Sequence, residues 1–246
     1  MSVKLTVVGC SPAWPNPGGA QSGYLVDGAD GRRLLLDCGP GVLGKLRAAS
    51  PNGWPQVDAI VVTHWHLDHW GDLVPWVWGG MVGPGKEAQK PQLFLPPEGR
   101  ERLREFGSGL GWEDMWQTVF ELRDYVEHEP FEAAGFTLSA LQLPHYTLRT
   151  YGLRVENGTR ALAYSGDSGP SDRLAELARG VDLFVCEATL LRGDLDGPPR
   201  GHLSVDEAVA SFKASGAKRL LLTHRPFELP RPDGYELAYD GLELEV

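Results

Sequence analysis

The sequence has few of the features that mark secreted, membrane-bound or disulfide-rich proteins. It contains only three cysteines among 246 residues (Cys10, Cys38 and Cys186). They lie far apart without a CxxC pair, so no disulfide framework is expected and a reducing compartment fits. No run of about 18 apolar residues appears, so no membrane span is predicted. The N-terminus lacks the basic and apolar blocks of a signal peptide. These absences together predict a cytoplasmic protein.

Clustered positive charge is also missing. The formal net charge is −10, and the densest cationic stretch, Arg100–Arg104, is interrupted by Glu101. Proteins that bind long nucleic acids neutralise phosphates with clustered Lys and Arg, so nucleic acid is not the expected partner. A small anion can still bind at a metal site, because the metal supplies the local positive charge.

Short β-rich runs bounded by Gly, Pro and Asp alternate with helical stretches along the whole chain. The predicted strands are Lys4–Val8, Gly23–Val26, Arg33–Asp37, Asp58–Thr63, Gln92–Leu95, Phe136–Leu143, Tyr151–Glu156, Arg160–Tyr164, Asp182–Cys186 and Arg219–Thr223, with two more in Tyr235–Val246. The predicted helices are Val42–Ala49, Leu67–Val82, Glu98–Phe106, Ser171–Ala178 and Val205–Ser215. Ser171 and Ser204 have the sequence context of helix N-caps, and Glu207 follows Ser204 by three residues, as in a capping box.

Two of the predicted strands are apolar throughout, at Ala59–Val62 and at Leu220–Leu222. Strands of this kind are buried on both faces, which requires cover from both sides and therefore layered sheets and helices. No convincing linker interrupts the chain, so a single domain over residues 1–246 is predicted.

Three of the seven histidines fall within six residues, in the segment Thr63-His64-Trp65-His66-Leu67-Asp68-His69. The segment follows the predicted strand Asp58–Thr63, and the carboxyl ends of strands are where open α/β sheets place their sites. His64 and His66 point the same way in an extended segment, while Asp68 and His69 follow where the chain turns toward a helix. Imidazole and carboxylate ligands at this spacing suit zinc or a similar divalent ion.

This motif resembles the signature of the metallo-β-lactamase superfamily, and the resemblance extends over essentially all of residues 1–246. His145, Asp167 and His224 follow in the order of the superfamily, each after a predicted strand. The resemblance implies an α+β fold, the four-layer αββα sandwich, with the site at one edge.

The resemblance also implies a two-metal ligand set. One metal would be held by His64, His66 and His145, the other by Asp68, His69 and His224, and Asp167 would bridge them. Flavodiiron relatives carry Glu at the position of His66, so His66 favours zinc, with manganese left open. For Asp37 two interpretations stand, a group that orients a ligand histidine or an ordinary turn residue before glycine.

Two further motifs indicate which branch of the superfamily the chain resembles. Cys186-Glu187-Ala188-Thr189 and Gly201-His202-Leu203-Ser204 resemble the Glu and His motifs of ribonuclease Z-like enzymes, although that branch often has His where this chain has Cys186. In the branch, the His protonates the leaving oxygen and the Glu orients the His. These roles would fall to His202 and Glu187, and we count Asp68 with them among the catalytic residues.

The sequence therefore predicts a dinuclear hydrolase that cleaves small phosphodiesters, such as cyclic nucleotides, by metal-bound hydroxide. His145 and Asp167 are only 22 positions apart, which leaves no room there for the tRNA-gripping arm of ribonuclease Z. The loop 11–19 also lacks the basic residues of the tRNA enzymes.

Three alternatives remain open from the sequence: a hydrolase of lactones, esters or thioesters; a tRNA 3′-processing endonuclease; and a metal-binding accessory protein without activity. The family resemblance suggests a homodimer. Trp76 and Trp78 are expected to line a pocket, an interface or the core. His128 is expected to be solvated.

Overall fold

The computed structural model describes residues 3–246, so the first two residues of the predicted domain lie outside it. Within this range fourteen strands form two sheets of seven strands each. The first sheet contains β1 (Lys4–Gly9), β2 (Gly23–Asp27), β3 (Arg33–Leu36), β4 (Ala59–Val61), β5 (Gln92–Leu95), β6 (Glu121–Asp124) and β14 (Glu243–Glu245). The second contains β7 (Phe131–Ala133), β8 (Phe136–His145), β9 (Leu148–Glu156), β10 (Ala161–Tyr164), β11 (Leu183–Glu187), β12 (Arg219–Thr223) and β13 (Glu236–Leu237).

Each sheet combines an antiparallel part with a parallel part. The order of the first is β14-β1-β2-β3-β4-β5-β6, parallel from β3 onward. The order of the second is β13-β12-β11-β10-β9-β8-β7, parallel from β10 to β13. The helices are α1 (Val42–Ala48), α2 (Leu67–Trp70), α3 (Leu73–Val82), α4 (Gly99–Gly109), α5 (Arg173–Leu177) and α6 (Val205–Ser215). Single 3₁₀ turns occur at Trp116–Thr118 and Gly193–Leu195.

Three apolar clusters hold the layers together. One lies between the sheets and includes Leu36 and Val61 of the first sheet with Leu153 of the second. A second packs the first sheet against α1, α3 and α4, and a third packs the second sheet against α5 and α6. Each fully buried aliphatic side chain contributes about 1.5–3 kcal/mol of transfer free energy. The arrangement is the four-layer αββα sandwich, as predicted.

Both strands that are apolar throughout are buried on two faces. In β4, residues Ala59, Ile60 and Val61 are inaccessible to solvent, and alternate residues join different clusters, Ile60 on the helical side and Val61 between the sheets. Successive side chains of a strand point to opposite faces, so a central strand with helices on one side and a second sheet on the other must be apolar at every position.

Some sequence-based predictions of local structure are wrong. The helix predicted over Leu67–Val82 is two helices, because tertiary contacts fix a break at Asp72: its N–H donates to the carbonyl of Cys38 at 3.0 Å, and its carboxylate accepts the N–H of Leu43 at 2.8 Å. Ser171 is not the N-cap of α5, which is Asp172. Strands β6 and β7 were not predicted, because pairing with a neighbouring strand, not apolar alternation, defines them.

Other expectations are met by the structure. The capping box of Ser204 and Glu207 is present at the start of α6. Trp76 is a core residue, whereas Trp78 is 47% exposed. His128 is exposed. No helix within residues 3–246 is long and apolar enough to cross a membrane.

The topology brings the ends of several strands to one edge of the sandwich. Strands β10, β11 and β12 are parallel, so their carboxyl ends lie side by side. Strand β8 runs antiparallel to β9, which runs antiparallel to β10, so β8 ends at the same edge. Four candidates identified from the sequence end or follow these strands, namely His145, Asp167, Glu187 and His224.

Candidate metal centre

Seven side chains converge at this edge in two groups that share one carboxylate. In each group the candidate donor atoms all lie within 4.8 Å of one another. The first group is His64, His66, His145 and Asp167, and the second is Asp68, His69, Asp167 and His224. This is the division that the family resemblance implies, with Asp167 common to both.

Local structure explains how the chain delivers them. His64 lies three residues beyond the end of β4, and His66 is the N-cap residue of α2. Asp68 and His69 belong to the single turn of α2, so the tight turn aims them back at the sheet edge. His145 ends β8, and His224 directly follows β12.

The cluster is almost fully buried. His64 and His69 have no exposed surface, and Asp167 is 1% exposed. The Nε2 atom of His69 lies 3.3 Å from Asp167 Oδ1, and the Nε2 atom of His224 lies 3.2 Å from Asp68 Oδ2. The Nε2 atom of His145 lies 2.8 Å from Nδ1 of His66.

Asp37 anchors the outer side of the cluster on the first sheet. Its buried carboxylate accepts the Nδ1–H of His69 at 2.7 Å and the hydroxyl of Thr63 at 2.9 Å. The same Thr63 oxygen then accepts the Nδ1–H of His64 at 3.0 Å. With Nδ1 protonated in both rings, the Nε2 lone pairs of His64 and His69 point into the cluster. Asp37 is therefore a group that orients histidines, not an ordinary turn residue.

Residues on the side of the second sheet fix the orientation of two more histidine rings. His145 donates its Nδ1–H to the carbonyl of Gly201 at 2.7 Å. The Nδ1 atom of His224 lies 2.9 Å from the hydroxyl oxygen of Thr189, which in turn donates to Glu187 at 2.8 Å. Both rings therefore also direct an Nε2 lone pair inward. His66 differs, because its Nδ1 atom faces the cluster.

The cluster contains polar atoms without partners. Nε2 of His64, Nε2 of His69 and Oδ1 of Asp167 are buried and have no hydrogen-bond partner, and the 3.3 Å approach of the last two lacks hydrogen-bond geometry. A buried polar atom without a partner costs about 1–3 kcal/mol. Three such atoms, converging with other imidazole and carboxylate donors, fit a divalent cation such as zinc.

The electrostatics favour a cation at the same point. Burial lowers the pKa of His64, His66 and His145, which favours the neutral rings that a metal requires. Burial acts the same way on His69, but the carboxylates of Asp167, Asp68 and Asp37 outweigh it and raise this pKa, so His69 must release a proton when a metal binds. Burial alone would raise the pKa of Asp167, but His224 and His69 hold it well below its usual range. The buried Asp167 carboxylate is therefore charged and requires positive charge beside it.

A second group of side chains flanks the cluster. The carboxylate of Glu187 is inaccessible to solvent and lies 2.9 Å, through Oε1, from Nδ1 of His202. The ring of His202 stacks at 5.7 Å on that of His224 and lies 5.0 Å from that of His145. Burial lowers the pKa of His202, but the charge and hydrogen bond of Glu187 outweigh it and raise this pKa to about 9.

The backbone around His202 is held from both sides. Asp196 Oδ2 accepts the N–H groups of Gly201 at 2.8 Å and of His202 at 3.1 Å. Arg200 Nη2 donates to the carbonyl of His202 at 3.1 Å, while Nη1 donates to Glu207 at 2.6 Å. These contacts fix the backbone of the loop on either side of His202, and the hydrogen bond from Glu187 fixes its ring.

Every candidate site residue from the sequence thus lies in this one region. Sequence reasoning missed the roles of Thr63, Thr189, Asp196 and Arg200. The two threonines lie inside motifs that were recognised, directly before His64 and two residues after Glu187. A hydroxyl next to a ligand motif was the available signal, whereas nothing in the sequence marks Asp196 or Arg200.

Comparison with known proteins identifies the family. Residues 32–225 match the family described as a beta-lactamase superfamily domain. The chain is 36% identical over 236 residues to the protein Rv1339 of Mycobacterium tuberculosis, covering 95% of this chain and 84% of that protein. It is 27% identical over 248 residues to ribonuclease Z of Mycobacterium bovis, covering 90% and 85%.

A probable metallo-hydrolase of Bacillus subtilis, YhfI, is 32% identical over 228 residues, covering 91% of this chain and 87% of that protein. Its crystal structure covers 100% of both chains with a TM-score of 0.85 and 27% identity. The chain therefore belongs to the metallo-β-lactamase superfamily, and its His/Asp cluster occupies the edge of the sandwich described above.

We expect Asp37→Asn to weaken metal binding about 10- to 100-fold, the usual effect of losing an outer partner of a ligand histidine. The amide cannot accept all the hydrogen bonds that the carboxylate receives from Thr63 and His69, so at least one ring loses its fixed tautomer. Competition with a chromogenic chelator measures the zinc affinity. Asp124→Asn, an exposed carboxylate on β6, is the matched control. Equal affinities for the two variants would show that Asp37 does not orient the ligands.

Proposed function

We propose that the protein is a dinuclear metal-dependent hydrolase that cleaves small phosphodiesters, with His202 as general acid. The observation that carries the proposal is the Glu187–His202 pair, hydrogen-bonded at 2.9 Å and stacked against the candidate ligand His224. Ring opening of a β-lactam does not call for this pair, whereas departure of an alkoxide from phosphorus requires a proton donor. Ribonucleases cleave phosphodiesters, so the likeness to the ribonuclease Z of Mycobacterium bovis supports the same reaction class.

The seven side chains of the two groups would hold the ions. When bound there, the ions would supply Lewis-acid chemistry, which polarises a phosphate oxygen and brings the pKa of water down to about 7. The residues of the chain supply the other functions. Glu187 accepts a hydrogen bond from Nδ1 of His202, so Nε2 is the nitrogen that can deliver a proton to the leaving oxygen. Asp196 and Arg200 hold the peptide groups on either side of that ring.

Several features favour a small diester over tRNA. Strands β9 and β10 account for most of the segment between His145 and Asp167, and only short turns make up the rest. The loop 11–19 contains neither Lys nor Arg, and the net charge is −10. A tRNA requires many phosphate contacts from basic side chains. The homodimer implied by the resemblance remains a prediction.

We expect two metal ions per chain in protein saturated with zinc and freed of excess ion. The physical reason is that the seven candidate ligands form two groups, with Asp167 Oδ2 nearer the first and Oδ1 nearer the second. A third group of donors, Glu187, His202 and His224, also lies within 4.8 Å, but Glu187 and His202 are already paired with each other at 2.9 Å. Elemental analysis gives the stoichiometry without reference to activity. A value of one ion or none would contradict the dinuclear site. The same analysis of manganese-saturated protein tests whether the site also accepts manganese.

We expect His202→Ala to lower kcat by about 10²–10⁴-fold for a diester with an alkoxide leaving group, the usual contribution of general acid catalysis. The loss should be much smaller for p-nitrophenolate, which departs without a proton. Both ions should remain bound, since His202 is assigned a proton and not a metal. His128→Ala, an exposed histidine, is the control. Loss of an ion from His202→Ala would make His202 a ligand, and equal losses for both leaving groups would exclude a general acid role.

We expect a 3′,5′-cyclic nucleotide and bis-p-nitrophenyl phosphate to be cleaved, and precursor tRNA to be cleaved poorly. All substrates are compared with the same zinc-loaded protein at one salt concentration, because tRNA binding depends steeply on salt. Specific tRNA 3′-cleavage with a far higher kcat/KM than either small diester would reverse the order. A lactone cleaved faster than all three would show that the reaction class is wrong.

A further inference from the structure

A cavity of about 500 Å³ lies beside the metal cluster. Its walls come from the loop that follows β1 and from the segment that runs from the end of β12 to the start of β14. Two of the lining residues, Thr223 and Arg225, are the chain neighbours of His224 on either side. The segment that carries His224 therefore also forms part of the cavity wall, and the volume of the cavity is in the range of sites for small organic ligands.

The lining carries more positive than negative charge. Lys45, Arg225 and Arg231 contribute cations, and Asp240, the one acidic residue of the lining, already lies 2.7 Å from Lys45. Neither Arg225 nor Arg231 forms a salt bridge within residues 3–246. The guanidinium of Arg225 is engaged by backbone carbonyls, whereas that of Arg231 has no carboxylate partner among the described residues. In a chain of net charge −10, an Arg231 without a carboxylate beside an excess of cations marks a local site for an anion.

Aromatic surface is exposed at the same place. Phe227 and Tyr239 line the cavity and are 72% and 55% exposed, respectively. Within the described part of the chain, neither ring packs against another aromatic ring. Exposed rings of this kind provide stacking surfaces for a nucleobase.

The walls are fixed by hydrogen bonds. Asn16 donates to the carbonyl of Arg225 at 3.0 Å and accepts the N–H of Phe227 at 2.8 Å, which joins the two loops. The guanidinium of Arg225 donates to the carbonyls of Ala188 and Pro230 at 2.8 and 2.9 Å. A cavity whose walls are already ordered loses less entropy when a ligand binds.

We propose that this cavity binds a second phosphate-bearing nucleotide unit of the substrate, beyond the phosphodiester that is cleaved. The proposal rests on the proposed function, in which the metal cluster takes the scissile phosphate. A cyclic mononucleotide has no further anion, so it leaves Arg231 without an anionic partner. A short 5′-phosphorylated oligonucleotide offers both a second anion and a second base, and its hydrolysis consumes one water: pApA gives two molecules of AMP.

The test compares pApA with ApA, which differ by one terminal phosphate, and with bis-p-nitrophenyl phosphate on zinc-loaded protein. We expect the native protein to prefer pApA over ApA. Arg231→Ala should reduce the pApA/ApA ratio of kcat/KM about tenfold, the usual effect of losing one charged hydrogen bond. Phe227→Ala should lower kcat/KM for both dinucleotides relative to the aryl diester. Arg123→Ala on β6, at the far edge of the first sheet, is the matched control.

The proposal is overturned if the native protein does not distinguish pApA from ApA, or if Arg231→Ala changes the ratio no more than Arg123→Ala does. It is also overturned if the cavity takes a free effector nucleotide, in which case added AMP changes the rate on the aryl diester through Arg231 while the pApA/ApA ratio stays constant. If none of the diesters is hydrolysed, the proposed function fails instead. Equilibrium dialysis of pApA and ApA against native protein and Arg231→Ala then tests the cavity separately.

Discussion

The whole site depends on how the scaffold satisfies one nitrogen of each buried histidine and leaves the other without a partner. The Nδ1 atoms of four rings are hydrogen-bonded to the scaffold. The acceptors are Asp37 and Thr63 on the side of the first sheet, and Thr189 and the Gly201 carbonyl on the side of the second. Each ring is then locked in the tautomer that turns Nε2 toward Asp167 or Asp68. In a dry interior this arrangement costs free energy unless a cation completes it. Specificity for a metal is therefore built into hydrogen bonds that never touch the metal.

The same hydrogen bonds link the His/Asp cluster to His202, the candidate proton donor. Glu187 receives the hydroxyl of Thr189, which supports His224, and its other oxygen lies beside His202. One buried carboxylate therefore orients a candidate metal ligand and a candidate acid at once. This coupling follows from β11 and β12 being adjacent and parallel, because Glu187 pairs with Thr223, the residue before His224. Relative movement of these two strands would disturb both functions together.

Much of the fold and the cluster could be predicted from the sequence because strong local patterns report on them. Apolar runs such as Ala59–Val62 identify buried strands, and polar residues directly after them identify the edge where the strands end. Tertiary contacts are harder to predict, because they join residues that are distant in the sequence. The break between α2 and α3 depends on Asp72 bonding to Cys38 and Leu43, which are distant in sequence. Asp196 and Arg200 act through backbone groups, so their identities alone carry no signal. The charge excess around Arg231 likewise depends on Lys45 of α1, which is distant in sequence, lining the same cavity.

The central claim is that the hydrogen-bond network fixes which nitrogen of each histidine faces the metals. Anomalous diffraction from crystals of the zinc-loaded protein tests this most directly, since it locates each ion independently of the protein atoms. The account predicts two ions between the groups, with His64, His69, His145 and His224 bound through Nε2 and His66 through Nδ1. An ion bound through Nδ1 of any of the first four rings, or ions located away from Asp167, would contradict it.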